Sequence, residues 1–177
     1  PQIAAKLDPR IAAQIAIQTN ADIANSRAST APIGFSVPCP DGLAFRPFQL
    51  AGIKFISERK NSLVADEMGL GKTLQAIGAI NADPTVKKVL CIVKASIKIN
   101  WSRELTKWLT RPMSVEIANG TFPTADIVII NYDVLKKHID DIRAVNWDLL
   151  VVDECHLIKN PKAQRTILVL GRWDRDP

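Results

Sequence analysis

The chain has 177 residues, which is room for one domain of ordinary size, and its 47% apolar and 23% charged residues exclude a generally disordered protein. No apolar run approaches the roughly 18–20 residues that cross a bilayer, so we expect no membrane span and no membrane partner. The net charge of +5 is modest, but five basic residues and one acidic residue lie between Lys94 and Arg111. Such a cluster can bind phosphate groups or simply cover a solvated helix.

Residues 1–42 are predicted to form an extension made of one helix and a linker. The pair Asp8-Pro9 is a typical helix start, because aspartate caps free N–H groups and proline suits the first turn; the helix is expected to end near Asn25. Proline, glycine and serine are frequent from Ser29 to Gly42, which predicts the linker. The core domain is expected to occupy residues 43–177.

Beyond residue 42, short apolar runs alternate with helical patterns. This alternation predicts an α/β fold, with a mostly parallel sheet flanked by crossover helices. The predicted strands are Ser62–Ala65, Lys88–Val93, Val115–Ile117, Ile127–Ile130 and Leu149–Val152. The predicted helices are Pro47–Glu58, Lys72–Ile80, Ile99–Leu109, Tyr132–Ile139 and Ala163–Leu170.

The string Gly69-Leu70-Gly71-Lys72-Thr73 follows one predicted strand and opens a predicted helix, which is the context of a phosphate-binding loop. Glycines let backbone N–H groups turn toward phosphate oxygens, and the helix N-terminus adds its partial positive charge. Lys72 can reach the β and γ phosphates, while Thr73 offers a hydroxyl to Mg²⁺. Asp66 stands where the general pattern of such loops has another glycine.

An acidic pair, Asp153-Glu154, follows the predicted strand Leu149–Val152. Ligands of open α/β sheets bind at the carboxyl ends of the strands, so these carboxylates are expected at the rim of a binding site. Asp153 is predicted to hold Mg²⁺, and Glu154 to orient and deprotonate an attacking water. Alone, the pair is better explained by a solvated strand end; with the loop, it predicts a nucleotide-hydrolysing site.

Gln49 lies upstream in the segment Arg46–Gly52 and offers both an amide donor and a carbonyl acceptor, which suits the edge of an adenine. By itself it is better explained as a surface glutamine. Together, the three segments resemble the SWI/SNF-type ATPases, the helicase-like DNA translocases of helicase superfamily 2, and specifically a bacterial or phage member. Arg46–Gly52 is similar to their adenine-reading motif. The string Asp66-Glu67-Met68-Gly69-Leu70-Gly71-Lys72-Thr73 is almost identical to their defining first motif, including Asp66.

The resemblance implies the first, N-terminal RecA-like lobe of an enzyme that uses ATP and Mg²⁺, with Lys72 and Glu154 in catalysis. Ala95–Trp101 is similar to a family motif that contacts the DNA backbone, although Lys94 stands where the family usually has proline. Ile129–Asp133 is similar to a second DNA-proximal segment. Double-stranded DNA is therefore the implied partner, and its implied contacts are Ser96, Lys98, Asn131 and Tyr132. The implied link between the nucleotide and DNA sites is His156, in the family's DE-x-H box.

Family members close the ATP site with a second RecA-like lobe that supplies arginines. We expect the chain to stop before the third helicase motif and, without that lobe, to hydrolyse ATP negligibly by itself. Two alternatives stay open: a lobe of an RNA or single-strand DNA helicase, or a regulatory module that binds ATP without hydrolysing it. Three widely spaced cysteines favour a reducing compartment, which is the cytoplasm of a prokaryotic or phage-infected cell, or the nucleus of a eukaryotic one.

Overall fold

The computed structural model describes residues 34–67 and 69–171, and its centre is a four-stranded parallel sheet in the order β2-β3-β1-β4. The strands are β1 Val89–Val93, β2 Val115–Ile117, β3 Ile127–Asn131 and β4 Leu149–Val152. Helices cover the sheet, so the predicted α/β class with a parallel sheet is confirmed.

Five α-helices surround the sheet within the described ranges. They are α1 Pro47–Ser57, α2 Lys72–Ala82, α3 Lys98–Trp108, α4 Ile139–Arg143 and α5 Gln164–Leu170. Short 3₁₀ turns follow three of the strands, at Ala95–Ile97, Tyr132–Val134 and Cys155–Ile158. None of these helices is both long enough and apolar enough to cross a membrane.

The two central strands, β1 and β3, are buried along their whole length, which explains why each reads as an unbroken run of mostly β-branched residues. Alternate residues of a strand point to opposite faces, so the sheet separates two apolar clusters. One cluster contains Ile53 of α1, Ile77 of α2 and Leu105 of α3. The other lies on the opposite face and includes Tyr132. Helices α1, α2 and α3 therefore pack on one side of the sheet.

The predicted strand Ser62–Ala65 is not formed: residues 62–67 adopt neither helix nor strand, and Leu63 is 66% exposed. An apolar run becomes a strand only when a neighbouring backbone pairs with it. In the described residues β4 pairs with β1 alone, so its other edge carries no strand. Leu150 of β4 is accordingly 43% exposed.

The predicted helix Tyr132–Ile139 is also replaced, by the 3₁₀ turn Tyr132–Val134, further turns and the short helix α4. The buried residues in this stretch are Tyr132, Leu135 and His138, with exposed fractions of 7%, 2% and 4%. They are three positions apart, which is the repeat of a 3₁₀ turn rather than of an α-helix. The burial pattern therefore favours the tighter turn.

The helix predicted from Asp8 to Asn25 lies outside the described residues. The last part of the predicted linker is described, and it packs on the domain. Val37 is buried in the first apolar cluster, and the carbonyl of Pro38 accepts a hydrogen bond from Nδ2 of the buried Asn81 at 3.2 Å. Packing of the domain therefore begins before Leu43.

Candidate nucleotide-binding site

The glycine-rich loop ends at Gly71, which caps the N-terminus of α2 in the left-handed conformation, with φ 77° and ψ 44°. Gly69 has φ 85°. Both values favour glycine because a Cβ crowds the backbone there. At Gly71 a side chain also lacks space, since its Cβ would lie 2.5 Å from Nε2 of Gln49. The loop therefore requires these glycines for its path into the helix.

Lys72 is the first residue of α2, and its side chain turns back over the loop. Its ammonium donates hydrogen bonds to the carbonyl oxygens of Asp66 at 2.8 Å and Glu67 at 3.0 Å. These are exposed contacts with neutral oxygens. A phosphate oxygen entering the loop can replace them with a stronger, charge-assisted bond.

Gln49 is buried, 5% exposed, and joins α1 to the loop. Its Oε1 accepts a hydrogen bond from the backbone N–H of Arg46 at 2.9 Å, which satisfies a free donor at the start of α1. Its Nε2 donates to the carbonyl of Leu70 at 3.2 Å. Gln49 is thus no surface glutamine, and its amide is fixed against the loop.

Gln75 completes the support of the loop, and sequence reasoning missed it. It is fully buried in α2, and its Nε2 donates to Oδ2 of Asp66 at 2.6 Å. Its Oε1 is buried and has no hydrogen-bond partner among the described residues. A Cβ on Gly52 of α1 would lie 1.9 Å from that oxygen. The available signal was a glutamine within the apolar face of a helix.

Asp153 follows β4, and its backbone N–H donates to the carbonyl of Ile92 at 2.9 Å, continuing the pairing with β1. Two donors fix its carboxylate. Oδ1 accepts from the N–H of Glu154 at 2.8 Å, and Oδ2 accepts from the indole Nε1 of Trp101 at 2.8 Å. The hydroxyl of Tyr132 donates to the Asp153 carbonyl at 2.5 Å. Elements after β1, β3 and β4 thus meet at this residue.

Glu154 is the only non-glycine residue with positive φ in the described parts of the chain, at φ 54° and ψ 47°. That conformation is uncommon and concentrates at functional sites. Its Oε1 lies 3.3 Å from the Lys94 ammonium, and its Oε2 lies 3.1 Å from Nδ1 of His156. The side chains of Glu154, Lys94 and His156 are 38%, 41% and 59% exposed. The predicted base and the predicted coupling histidine are therefore in contact.

The negative charge of Asp153 contributes to raised pKa values of two neighbouring groups, Cys91 and Tyr132. Burial, with a smaller contribution from the Asp153 carboxylate, raises the pKa of the Cys91 thiol to about 12. Burial and the same carboxylate also raise the pKa of Tyr132 to about 12. Both groups stay neutral at physiological pH, so the negative charge here is that of the acidic pair. This end of the sheet is therefore suited to a cation.

The predicted DNA contacts differ in their exposure. Ser96 is exposed and Lys98 half-buried, both before or at the start of α3. Asn131 and Tyr132 are buried, at 5% and 7% exposed, and Nδ2 of Asn131 donates to Asp133 at 3.1 Å. Asn131 and Tyr132 are therefore placed to support the loops after β3 rather than to present side chains to solvent.

Arg111 does not belong to an open basic surface. Its guanidinium donates to four carbonyl oxygens in and after α2, at distances between 2.6 and 3.0 Å: those of Ile80, Asp83, Pro84 and Val86. Its role is to satisfy the C-terminal end of that helix. The basic segment predicted as a phosphate-binding cluster is thus shortened to residues 94–107.

The residues present fit a nucleotide with Mg²⁺. Within the described parts of the chain no three His, Cys, Asp or Glu side chains form a metal cluster. Mg²⁺ does not need one, since it usually takes one or two carboxylates and completes its shell with phosphates and water. Asp153 and the Thr73 hydroxyl are suitable ligands, and the loop lysine is suited to the phosphates.

The site consists of two groups. Gln49, Asp66, Lys72 and Gln75 are joined around the loop, and Asp153 is joined to Glu154 and its partners after β4. Among residues 34–67 and 69–171 no hydrogen bond links the two groups. Their elements do share a core, because Ile77 of α2 and Val151 of β4 belong to the first apolar cluster.

A glycine loop opening a helix, its lysine, and an acidic pair after a parallel strand define a P-loop nucleotide-binding domain. Residues 48–171 match the family model described as the SNF2-related domain. The chain belongs to this family. The resemblance stated from the motifs is thereby confirmed at the level of the family.

Named relatives agree with this assignment. The chain is 31% identical over 163 residues to the TATA-binding protein-associated factor mot1 of Aspergillus fumigatus, with 76% of this chain aligned. It is 31% identical to human DNA repair and recombination protein RAD54B, with 71% aligned. It is also 31% identical to the ISWI chromatin-remodeling complex ATPase ISW1 of Saccharomyces cerevisiae, with 67% aligned. The alignments cover only 9%, 17% and 12% of these relatives.

A solved structure supports the same fold. The Sulfolobus solfataricus SWI2/SNF2 ATPase core in complex with double-stranded DNA matches with a TM-score of 0.64 and 27% identity. The match covers 77% of this chain and 31% of that one. The fold is therefore that of an SNF2 ATPase core, a RecA-like fold. The named relatives are eukaryotic and this structure is archaeal, so a bacterial or phage origin stays a prediction.

Proposed function

We propose that residues 43–177 are the first, ATP-binding RecA-like lobe of an SNF2-type ATPase that translocates on double-stranded DNA. Residues 1–42 are then an extension, whose end packs on the lobe through Val37 and Pro38. The observation that carries the proposal is the loop itself, in which the Lys72 ammonium is held over the carbonyls of Asp66 and Glu67 beside two left-handed glycines. Membership of the SNF2 family supports it.

Each side chain of the site has a task in this proposal. Lys72 exchanges its carbonyl partners for phosphate oxygens, and the loop N–H groups from Gly69 to Thr73 add neutral donors. Gln49 faces the adenine end. Thr73 and Asp153 would hold Mg²⁺, which would supply positive charge to neutralise the phosphates. Glu154 orients the attacking water and accepts its proton.

The DNA-facing part of the proposal is the start of α3. Ser96 and Lys98 are accessible there, and backbone contacts of this kind position a protein without reading sequence. Asn131 and Tyr132 act in this proposal through the loops they support, and His156 through its contact with Glu154. The solved SNF2 core with double-stranded DNA supports the choice of duplex. A second RecA-like lobe is the proposed intramolecular partner.

The proposed cellular compartment follows from the DNA partner. In a prokaryotic or phage-infected cell the protein works in the cytoplasm, and in a eukaryotic cell it works in the nucleus. The described helices contain no candidate membrane span.

The test is ATP turnover by the full-length protein that contains this chain, with duplex DNA, single-stranded DNA or RNA. The proposal expects strong stimulation by duplex DNA. Stimulation by RNA or single strands alone would instead favour another helicase of the superfamily. Nucleotide binding without turnover under every condition would favour a regulatory module.

Glu154→Gln separates binding from hydrolysis in the same assay. The amide keeps the size of the side chain and one acceptor oxygen but cannot accept a proton. ATP binding should survive and turnover should collapse. Loss of both together would contradict the role of Glu154 as the base.

A further inference from the structure

Trp101 lies one helical turn into α3 and is 3% exposed. Its indole N–H donates a hydrogen bond to the carboxylate of Asp153 at 2.8 Å. A buried indole N–H needs an acceptor, and here the acceptor is the carboxylate proposed to hold Mg²⁺. The other carboxylate oxygen accepts from the N–H of Glu154. Two donors, one from outside the strand, therefore set the direction in which Asp153 presents its remaining lone pairs.

The same tryptophan belongs to the segment proposed to meet DNA. The 3₁₀ turn Ala95–Ile97 leads directly into α3, which begins at Lys98 and reaches Trp101 three residues later. Ser96 is exposed near the beginning of this continuous element, and the Trp101 indole is buried five residues further along it. A displacement of the element by a DNA strand therefore moves the indole N–H and the carboxylate bound to it.

We infer that Trp101 is a positioning residue for the Asp153 carboxylate and joins the start of α3 to the Mg²⁺ site. The inference rests on the proposed function, because it needs Asp153 to be the Mg²⁺ ligand. Partners that orient a ligating group commonly contribute about 10–100-fold to metal affinity or activity. Loss of this single N–H should fall in that range.

Trp108 provides the matched control. It lies seven residues after Trp101 in α3, is buried at 7% exposed, and packs its ring 5.0 Å from that of Phe45. Phenylalanine at position 108 keeps an aromatic ring in a similar packing site. Trp101→Phe and Trp108→Phe therefore both reduce the volume of one buried ring, but only the first removes a donor from Asp153.

The experiment measures the affinity of the full-length protein for a non-hydrolysable, fluorescent ATP analogue, first in EDTA and then across a Mg²⁺ titration. Trp101→Phe should leave the affinity in EDTA unchanged and raise the Mg²⁺ concentration for half-maximal effect about tenfold or more. Trp108→Phe should match the wild type. Identical Mg²⁺ requirements for the three proteins would overturn the inference, whereas a wild type that binds no analogue would overturn the proposed function instead.

Duplex DNA added to the same titration tests the connection to α3. It should change the Mg²⁺ requirement of the wild type and of Trp108→Phe but not that of Trp101→Phe. An equal DNA effect in all three proteins would contradict the connection.

A measurement on the wild type keeps the test valid if Trp101→Phe does not fold. The indole N–H resonances of tryptophan-labelled protein are assigned by replacing the other tryptophans one at a time. Addition of Mg²⁺ to the nucleotide-bound protein should shift the Trp101 signal more than the Trp108 signal. A Trp101 signal that does not move would contradict the positioning role.

Discussion

Gln75 donates from Nε2 to the carboxylate of Asp66 at 2.6 Å, so the first residue of the nucleotide loop is held by a fully buried residue of the helix that follows. This contact gives a physical reason for Asp66, which stands where the general loop pattern has a glycine. Gly52 on α1 leaves the space for the Gln75 amide, since a Cβ there would lie 1.9 Å from Oε1. One glycine, one buried amide and one carboxylate thus shape the loop.

Replacing Gly52 with alanine should displace the Gln75 amide and release Asp66. Alanine is better than glycine by about 1 kcal/mol in a helix interior, but overpacking a buried site costs about 1–3 kcal/mol, so we expect a net loss of stability. The measurement is urea unfolding together with nucleotide affinity, which should also fall because the loop loses its brace.

The matched variant for this prediction is Gly52→Ala combined with Gln75→Ala. With the larger side chain removed, the new Cβ has room, and the double variant should be more stable than Gly52→Ala alone. A double variant whose losses are the sum of the two single losses would show that Gly52 and Gln75 are not coupled.

Lys94→Ala should increase ATP turnover in the absence of DNA. The Lys94 ammonium engages Oε1 of Glu154, and both side chains are more than a third exposed. Such pairs contribute at most about 1 kcal/mol, so freeing the proposed base should raise the basal rate by no more than about fivefold. Lys136→Ala, at an exposed position after β3, serves as the control. An unchanged basal rate in Lys94→Ala would contradict the claim that this ion pair limits ATP turnover in the absence of DNA.

Lys98→Ala should reduce the salt dependence of duplex binding. Each phosphate contact contributes about −0.9 to the slope of log affinity against log salt, so losing one contact should flatten the slope by roughly one. The measurement is a salt titration of duplex affinity for the wild type, Lys98→Ala and Lys136→Ala. The same slope for all three proteins would place Lys98 outside the DNA path.

The Asp126→Asn variant should be less stable than the wild type, and the difference in stability should depend on pH. Hydrogen bonds from the Ser114 N–H, Lys88 and the Ser114 hydroxyl lower the pKa of Asp126 to about 2. An unfolded aspartate has a pKa of about 3.9, so the stabilisation is fully present above about pH 5 and is lost as pH falls through about 4 to 2. The measurement is the urea midpoint of unfolding for both proteins. The difference between the two midpoints should be constant around neutral pH and should become smaller as pH falls from about 4 to 2.

Ser114→Ala tests the cause of this pH dependence. It removes the hydroxyl, which donates to the Asp126 carboxylate and accepts from the Asp126 N–H, but it keeps the backbone donor. The pH-dependent part of the stability difference should therefore be smaller than for Asp126→Asn, in the same pH range. A gap for Asp126→Asn that is the same at pH 7 and pH 2.5 would contradict the assigned hydrogen bonds.

The fold could be predicted where local sequence alone determines the outcome. β1 and β3 are continuous apolar runs buried on both faces, and such runs have few other stable arrangements. The predicted strand Ser62–Ala65 failed because its formation depends on a backbone partner beside β4, which no local pattern reveals. The predicted helix Tyr132–Ile139 is wrong because its buried residues recur every three positions, a pattern that becomes visible only once burial is known.

The residues of the candidate site also divide into those that a local motif reveals and those that only the folded structure brings together. The loop glycines with Lys72 form one contiguous string and the acidic pair forms another, so both could be read directly from the sequence. Trp101 and Asp153 are separated by 52 positions, and their hydrogen bond follows from the packing of α3 against the sheet. Contacts between distant elements therefore had to come from the structure.

The most direct measurement of the central claim is duplex-stimulated ATP turnover by the full-length protein with Lys72→Ala, compared with Lys60→Ala at an exposed position before the loop. Lys72 is half-buried at the loop, and among the described residues its ammonium donates to two carbonyl oxygens, so its loss should leave the fold intact by circular dichroism. We expect ATP turnover to fall to background in Lys72→Ala and to stay at the wild-type level in Lys60→Ala. Near-normal turnover in a folded Lys72→Ala protein would contradict the assignment of the nucleotide site.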